Sequence, residues 1–290
     1  MTRALCGWIN LDKPEGISSN QAMGIVRRAL SKAKVGYAGT LDPFATGVLP
    51  IAIGSATRLI PYLMETSKVY RATVQWGEER DTDDRTGAPT QVSSVTPTRA
   101  AILEILPRFT GLIAQVPPVF SAIKIRGKRA CDRVRKGESV RLEPRRVLVE
   151  CIELLTHEQE TRQTTFQITC GTGVYIRSLA RDFGRMLRSF GHVHALRRVR
   201  VGRFLVENAI PLEKMRSMVH SVAGYVLPSE EALREDLAAH PVQAPLQKGE
   251  ALDVPLEKQG SLIRLIHEES GALLGLASPE GGKWCCVWRS

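Results

Sequence analysis

The sequence has no long apolar run, no low-complexity tract and no internal repeat. No stretch approaches the roughly 20 apolar residues that a membrane-spanning helix needs. The first residues contain no apolar core followed by a small-residue cleavage site, so we expect no secretory signal. These features predict a cytoplasmic protein that has no membrane partner.

The cysteines lack the spacing of a metal site or a redox pair, because none stands in a CxxC arrangement. Without a secretory signal we expect all of them to be reduced thiols. His192 and His194 could face one side of a strand, but no third ligand is near them in the sequence, so we predict no metal. The cysteines are Cys6, Cys131, Cys151, Cys170, Cys285 and Cys286.

Positive charge is in excess, with 40 Lys and Arg against 30 Asp and Glu and a formal net charge of +10. Such a balance indicates a polyanionic partner, but it says nothing about the fold. The basic residues concentrate in residues 124–146 and 177–203, whereas the C-terminal part is nearly balanced. The length of 290 residues predicts two domains, which we place at residues 1–222 and 223–290.

Hydrophobic periodicity predicts strands interleaved with helices and no regular βαβ rhythm, which favours an α+β main domain. Helical spacing is found in residues 20–33, 102–106, 176–190 and 230–239. The third of these helices also carries an arginine stripe at residues 177, 181, 185 and 188. Strands are predicted at residues 7–11, 70–76, 147–155, 164–170, 262–266, 273–277 and 284–288.

A glycine-rich loop holds the first candidate for chemistry, Asp42. Gly36, Gly39 and Gly47 allow sharp turns or a close approach to a ligand. Pro43 pushes residue 42 toward an extended backbone. From these residues alone, an N-cap aspartate on a turn that begins with proline explains the loop equally well.

Seven short motifs follow one another along residues 7–205, and together they resemble the TruB family of bacterial tRNA pseudouridine-55 synthases. The longest is the run Val35 to Leu59, which resembles the family's catalytic motif through its core Gly-Thr-Leu-Asp-Pro-Phe-Ala-Thr-Gly-Val-Leu-Pro at residues 39–50. The others lie at residues 12–19, 67–71, 81–84, 117–124, 173–179 and 196–198.

The resemblance implies a mixed, largely antiparallel sheet flanked by helices, with a small PUA-like domain at the C-terminus. It also implies isomerisation of uridine 55 in the TΨC loop of tRNA, without a cofactor. Asp42 would attack or deprotonate the ribose, Arg177 would pair with Asp42, and Tyr70 would lie against the flipped base. Tyr175 and Leu196 would complete the pocket.

These roles suit the reaction. A carboxylate must be ionised to act as a nucleophile or base, and a guanidinium beside it favours the ionised form. An aromatic face can stack on a base that has left its helix. Two further residues stay ambiguous. Lys13 could contact a phosphate or only hold a turn, and Asp84 could line the RNA pocket or be a solvated acid or one that pairs with a basic side chain.

The chain departs from the family at three positions. Tyr37, followed by Ala38, stands where the family usually has His, so we expect stacking there without an imidazole. Phe120 replaces a usual Tyr and Cys131 a common aromatic. These changes concern specificity rather than the reaction.

Three other functions compete with the synthase. One is a tRNA-binding folding chaperone with weak or no catalysis, which should lack Asp42. Another is a synthase guided by a small RNA and partner proteins, for which a lysine-rich tail is expected. The last is a glycosidase, which requires a second carboxylate tied to Asp42. The resemblance to the TruB family implies a monomer that binds the T-stem and loop of tRNA and has no obligate protein partner.

Overall fold

The computed structural model describes residues 5–31, 33–125, 127–217, 222–233, 237–244, 247–252, 262–270, 272–280 and 283–289. Its α-helices are α1 (Ser19–Ala29), α2 (Ile60–Met64), α3 (Arg99–Ile105), α4 (Ala130–Val134), α5 (Ile176–Met186) and α6 (Leu212–Ser217). Short 3-10 segments occur at Gly54–Leu59, Leu106–Phe109, Val206–Asn208, Val222–Tyr225 and Ser229–Ala232.

The strands of the first half are β1 (Gly7–Lys13), β2 (Val35–Tyr37), β3 (Thr46–Ile53), β4 (Lys68–Trp76), β5 (Glu78–Arg80), β6 (Pro89–Val92), β7 (Gly111–Gln115), β8 (Lys124–Ile125) and β9 (Lys128–Arg129). Those that follow are β10 (Arg145–Glu158), β11 (Gln163–Cys170), β12 (Gly191–Val201), β13 (Phe204–Leu205), β14 (Ile210–Pro211), β15 (Ala239–Val242), β16 (Ala251–Leu252), β17 (Ile263–His267), β18 (Leu273–Glu280) and β19 (Lys283–Arg289). Most pairings are antiparallel, so the predicted α+β class is confirmed.

The chain divides into two compact units. Unit 1 contains Met1–Asp42, Gly47–Thr66 and Val201–Ser290, and unit 2 contains Pro43–Thr46 and Ser67–Arg200.

In unit 1, β3 pairs antiparallel with β1 on one side and with β2 on the other. The C-terminal strands form a separate sheet in the order β15-β17-β18-β19-β16. One hydrophobic cluster nevertheless joins β1, the segment after β3 and the C-terminal sheet, through Trp8, Leu59 and Trp288. The predicted domain boundary at residues 222 and 223 lies inside this unit and stays a prediction.

In unit 2, β4, β11, β10 and β7 form an antiparallel series. The predicted alternation of β4 is confirmed, since Ala72, Val74 and Trp76 are buried while the residues between them are partly exposed. Helix α5 packs Phe183 against Phe166 of β11, with ring centroids 5.6 Å apart.

Two helices end earlier in the chain than the sequence predicts. Helix α1 ends at Ala29, because Leu30 is its C-cap and Ser31 has a φ of +51°; residue 32 lies outside the described residues. Helix α5 ends at Met186, because Arg188 and Phe190 have φ values of +54° and +52°.

The helix predicted at residues 230–239 is wrong. The chain forms a 3-10 turn at Ser229–Ala232, and Ala239 begins strand β15. Residues 234–236 lie outside the described residues. Strand β15 pairs with β17, so long-range pairing decides this segment against its helical spacing.

Candidate functional site

The loop between β2 and β3 carries Asp42, which is partly buried. Gly39 has a φ of +76° and Gly47 a φ of +102°, so the loop turns at both ends through backbone conformations that favour glycine. Pro43 follows Asp42 directly and restricts its backbone to extended conformations.

A buried serine holds the residue before Asp42. The Ser19 hydroxyl accepts a hydrogen bond from the Leu41 N–H at 2.8 Å and donates one to the Leu41 carbonyl at 3.0 Å. Ser19 is the first residue of α1 and is 1% exposed. The neighbouring Ser18 has a different task, because its hydroxyl caps α1 in a reciprocal arrangement with Gln21.

Lys13 is fully buried at the end of β1. Its ammonium donates to the carbonyls of Pro14 and Ile17, each at 2.8 Å. These bonds fold the turn that leads into α1. The geometry supports the turn-holding alternative for this lysine over the phosphate contact.

Tyr37 ends strand β2, opposite Ile51 of β3, and is partly buried. In unit 2, Tyr70 lies on β4 opposite Ile168 of β11 and is also partly buried. Leu196 lies on β12 and is 7% exposed.

Tyr175 is the N-cap residue of α5, and the side chain of Gln115 fixes its backbone. The Tyr175 N–H donates to Gln115 Oε1 at 2.8 Å, and Gln115 Nε2 donates to the Tyr175 carbonyl at 3.1 Å. Because Gln115 is 2% exposed, water competes little for these bonds. The start of α5, and with it Arg177, is thereby held in place.

Arg177 is buried among acceptors. Its Nη1 donates to the Thr82 carbonyl at 2.9 Å and to Asp84 Oδ2 at 3.3 Å, and its Nη2 donates to the Phe120 carbonyl at 3.0 Å. Arg177 is 5% exposed and Asp84 is 3% exposed. The guanidinium therefore has a fixed orientation.

Asp84 is bonded through its other carboxylate oxygen as well. Oδ1 accepts from the Thr82 hydroxyl at 2.8 Å and from the N–H and hydroxyl of Thr86 at 2.9 and 2.6 Å. Of the two alternatives for this residue, the geometry supports a pairing acid.

Two more ion pairs continue along α5. Arg181 Nη1 lies 2.8 Å from Asp83 Oδ2, and Arg185 forms two bonds of 2.7 Å to Glu79. Three arginines of the stripe, Arg177, Arg181 and Arg185, therefore have an acidic partner in residues 78–86. The first two are buried, whereas Arg185 and Arg188 are exposed.

Burial shifts the pKa values of several groups in unit 2. It raises the pKa of Asp83 to about 6, although the nearby Arg181 and Arg177 oppose the shift. It lowers the pKa of His192, whose Nδ1 is bonded to the Glu78 carbonyl. Burial also raises the pKa of Cys170 to about 12, so this thiol is unreactive at neutral pH.

The part of the chain that the structure describes contains no group of three or more His, Cys, Asp or Glu side chains that could hold a metal ion. Within the same residues, no helix is long and apolar enough to cross a bilayer. All six cysteines lie in the described residues and are free thiols.

Residues 27–176 match the N-terminal domain of the TruB family pseudouridylate synthases, and residues 177–240 match the tRNA pseudouridylate synthase B C-terminal domain. A tRNA pseudouridine synthase B from Nitrobacter winogradskyi is 46% identical over 97% of this chain and 81% of that protein. This chain belongs to the TruB family. Its relative of the same name from Bradyrhizobium diazoefficiens is also 46% identical, over 86% of this chain and 75% of that protein.

A solved structure supports the fold of this TruB family member. A chain in the crystal structure of a Cbf5-Nop10-Gar1 complex superposes with a TM-score of 0.70, covering 98% of this chain and 84% of that chain. The sequence identity of 24% limits this likeness to the fold.

The residues predicted for the TruB site are distributed over both units. Lys13, Tyr37 and Asp42 belong to unit 1, and Tyr70, Asp84, Tyr175, Arg177 and Leu196 belong to unit 2. Within unit 2 the structure brings Arg177 and Asp84 together.

Sequence reasoning missed three residues that hold this site. Ser19 was one of several candidate caps, Gln115 had no motif of its own, and Asp83 was one acid among several. Ser19 and Asp83 fall within the motifs at residues 12–19 and 81–84, but these motifs do not indicate the contacts of either residue.

Proposed function

We propose that this chain converts uridine 55 in the TΨC loop of tRNA to pseudouridine. The reaction breaks the N1–C1′ bond of the uridine, turns the base and joins C5 to C1′. The hydrogen on C5 leaves as a proton and N1 gains one, so the reaction has no redox change and no net hydrolysis. The enzyme is an isomerase that requires neither a metal nor an organic cofactor.

The observation that carries the proposal is Asp42 within the family's motif, on a loop whose backbone is fixed on both sides of this residue. Two relatives named tRNA pseudouridine synthase B, each 46% identical to this chain, support tRNA as the substrate. The excess of positive charge supports a polyanionic partner.

In this proposal Asp42 attacks C1′ or removes a ribose proton. Arg177 supplies the positive charge that favours an ionised Asp42, and Tyr70 stacks on the flipped base. Tyr175 and Leu196 line the pocket, and Tyr37 offers its ring where the family usually has an imidazole. Lys13 and Asp84 act indirectly, since their bonds shape the turn before α1 and orient Arg177.

We further propose that the enzyme works as a cytoplasmic monomer that binds the T-stem and loop without an obligate protein partner. Residues 223–290 would act as a PUA-like module at the acceptor end of the tRNA. Strands β15 to β19, which form a sheet of their own, support such a module.

The test is to map pseudouridine in an unmodified tRNA transcript after incubation with the wild type or with Asp42→Asn. The wild type should modify position 55, and the variant should bind the transcript but react at least about 100-fold more slowly. Asp132→Asn is a matched control, because Asp132 is 54% exposed on α4. If the wild type binds the transcript and forms no pseudouridine, the chaperone alternative replaces this proposal.

A further inference from the structure

The buried side chain of Ser19 binds the peptide group that precedes Asp42. The Leu41 carbonyl belongs to the peptide group between residues 41 and 42, and the Ser19 hydroxyl donates to it at 3.0 Å. The same hydroxyl accepts from the Leu41 N–H at 2.8 Å. One side chain therefore binds both backbone polar groups of the residue before Asp42.

Burial makes these two bonds effective. Ser19 is 1% exposed and Leu41 is 3% exposed, so water cannot easily replace either bond. Losing the hydroxyl would leave a buried N–H and a buried carbonyl without this partner. The Leu41 backbone would then gain freedom next to Asp42.

The other side of Asp42 is restricted by a different means. Pro43 has a fixed φ and disfavours helical backbone conformations at residue 42. Ser19 therefore restricts the backbone before Asp42, and Pro43 restricts it from the other side. Such pre-organisation matters for a reacting carboxylate, because a misplacement of about 1 Å can slow a reaction roughly 100-fold.

We propose that Ser19 is a positioning residue, which sets the backbone of Asp42 for attack or proton abstraction at the ribose. The inference rests on the proposed function, because it assigns Ser19 a part in the same reaction. It goes further by naming a residue that need not touch the RNA.

Ser18 provides a matched control for Ser19. The two serines are adjacent at the start of α1, but Ser18 bonds to Gln21 within the helix and Ser19 bonds to Leu41. Removal of either hydroxyl should destabilise the protein by a comparable amount. Only removal of the Ser19 hydroxyl should alter the backbone next to Asp42.

The experiment measures single-turnover pseudouridine formation with saturating enzyme, because the rate constant then describes active molecules and the amplitude gives their fraction. We expect Ser19→Ala to lower the rate constant at least about tenfold with an unchanged Kd for the transcript. Ser18→Ala should lower the Tm and keep the wild-type rate constant. Ser19→Thr, which retains a hydroxyl, should react within a few-fold of the wild type.

Three results would overturn the inference while leaving the proposed function intact. They are a wild-type rate constant for Ser19→Ala, an equal loss of rate in Ser18→Ala, and a Ser19→Thr variant as slow as Ser19→Ala. A wild type without any pseudouridine formation would instead contradict the proposed function, and the inference would fail with it.

Discussion

Arg177, within the motif at residues 173–179, lies in the first turn of α5 and is buried. Its acceptors come from two other segments, one that contains Thr82 and Asp84 and one that contains Phe120. No local pattern in the sequence encodes such long-range contacts.

Substitution of Asp84 by Asn should be strongly destabilising. It removes a buried negative charge that faces the Arg177 guanidinium at 3.3 Å. Breaking a buried pair in this way costs about 3 kcal/mol or more. Urea unfolding of Asp84→Asn would measure the loss, with the exposed Asp132→Asn as the control. Equal stability of the two variants would show that the buried pair contributes little.

Asp83 should make the free energy of unfolding decrease as the pH rises, which is opposite to the usual effect of an acidic residue. Its folded-state pKa of about 6 lies above the ordinary value of 3.8 for an aspartate, so the folded protein holds the proton more tightly than the unfolded chain. The contribution of Asp83 to the free energy of unfolding is therefore fully present below about pH 4 and is lost as the pH rises through about 6. The loss amounts to about 3 kcal/mol, since one pKa unit corresponds to about 1.4 kcal/mol.

The measurement is the unfolding free energy of the wild type minus that of Asp83→Asn between pH 4 and pH 7. We expect this difference to decrease as the pH rises. A difference that increases with pH would show that the ion pair with Arg181 outweighs burial.

Secondary-structure elements were predictable where one face is apolar, and their ends were less so. The residues of β4 alternate in burial as the sequence predicts. Ser18, one of the three predicted N-cap residues, is the N-cap of α1. Helix α5 ends early because the chain folds back over Gly184, whose carbonyl accepts from the N–H groups of Ser189 and Phe190 at 3.0 Å each. The helical spacing of apolar residues continues past Met186, so the sequence pattern does not indicate where α5 ends.

Gly184 should therefore not tolerate a side chain. An added Cβ would lie 2.3 Å from the Gly191 nitrogen and 2.4 Å from the Phe190 carbonyl carbon. Relief requires backbone movement, and we expect Gly184→Ala to lower stability by about 1–3 kcal/mol or more.

Gly24 in α1 is the matched control, because a Cβ there meets nothing within 4 Å. Gly24→Ala should raise stability by about 0.5–1 kcal/mol. Thermal unfolding of the two variants measures both effects. A stabilised Gly184→Ala would show that the turn after α5 can relax.

At the scale of the molecule, the sequence predicted the fold class and the family, whereas the domain boundary at residues 222 and 223 stays a prediction. The C-terminal strands look independent in sequence, yet Trp288 shares a cluster with Trp8 of β1. The Trp288 indole N–H also donates to the Ser55 carbonyl at 3.2 Å. Local hydrophobic periodicity does not predict contacts between residues more than 200 positions apart.

Two tryptophans of β19 can test this shared core. Trp288 belongs to the cluster with Trp8, whereas Trp284 belongs to a cluster formed by C-terminal residues such as Leu265 and Ala277. Trp288→Ala should accelerate hydrogen exchange in β1, because it opens a cavity in the shared core. Trp284→Ala should leave exchange in β1 unchanged. Equal exchange in both variants would support an independent C-terminal domain.

The most direct measurement uses a tRNA transcript labelled with tritium at C5 of its uridines, since pseudouridine formation expels the hydrogen on C5. With enzyme in excess, we predict release of one equivalent of tritium per transcript and none when cytidine replaces uridine 55. Asp42→Asn should bind the same transcript and release tritium at least about 100-fold more slowly than the wild type. Wild-type enzyme that binds the transcript without releasing tritium, or an Asp42→Asn variant as fast as the wild type, would contradict the assignment.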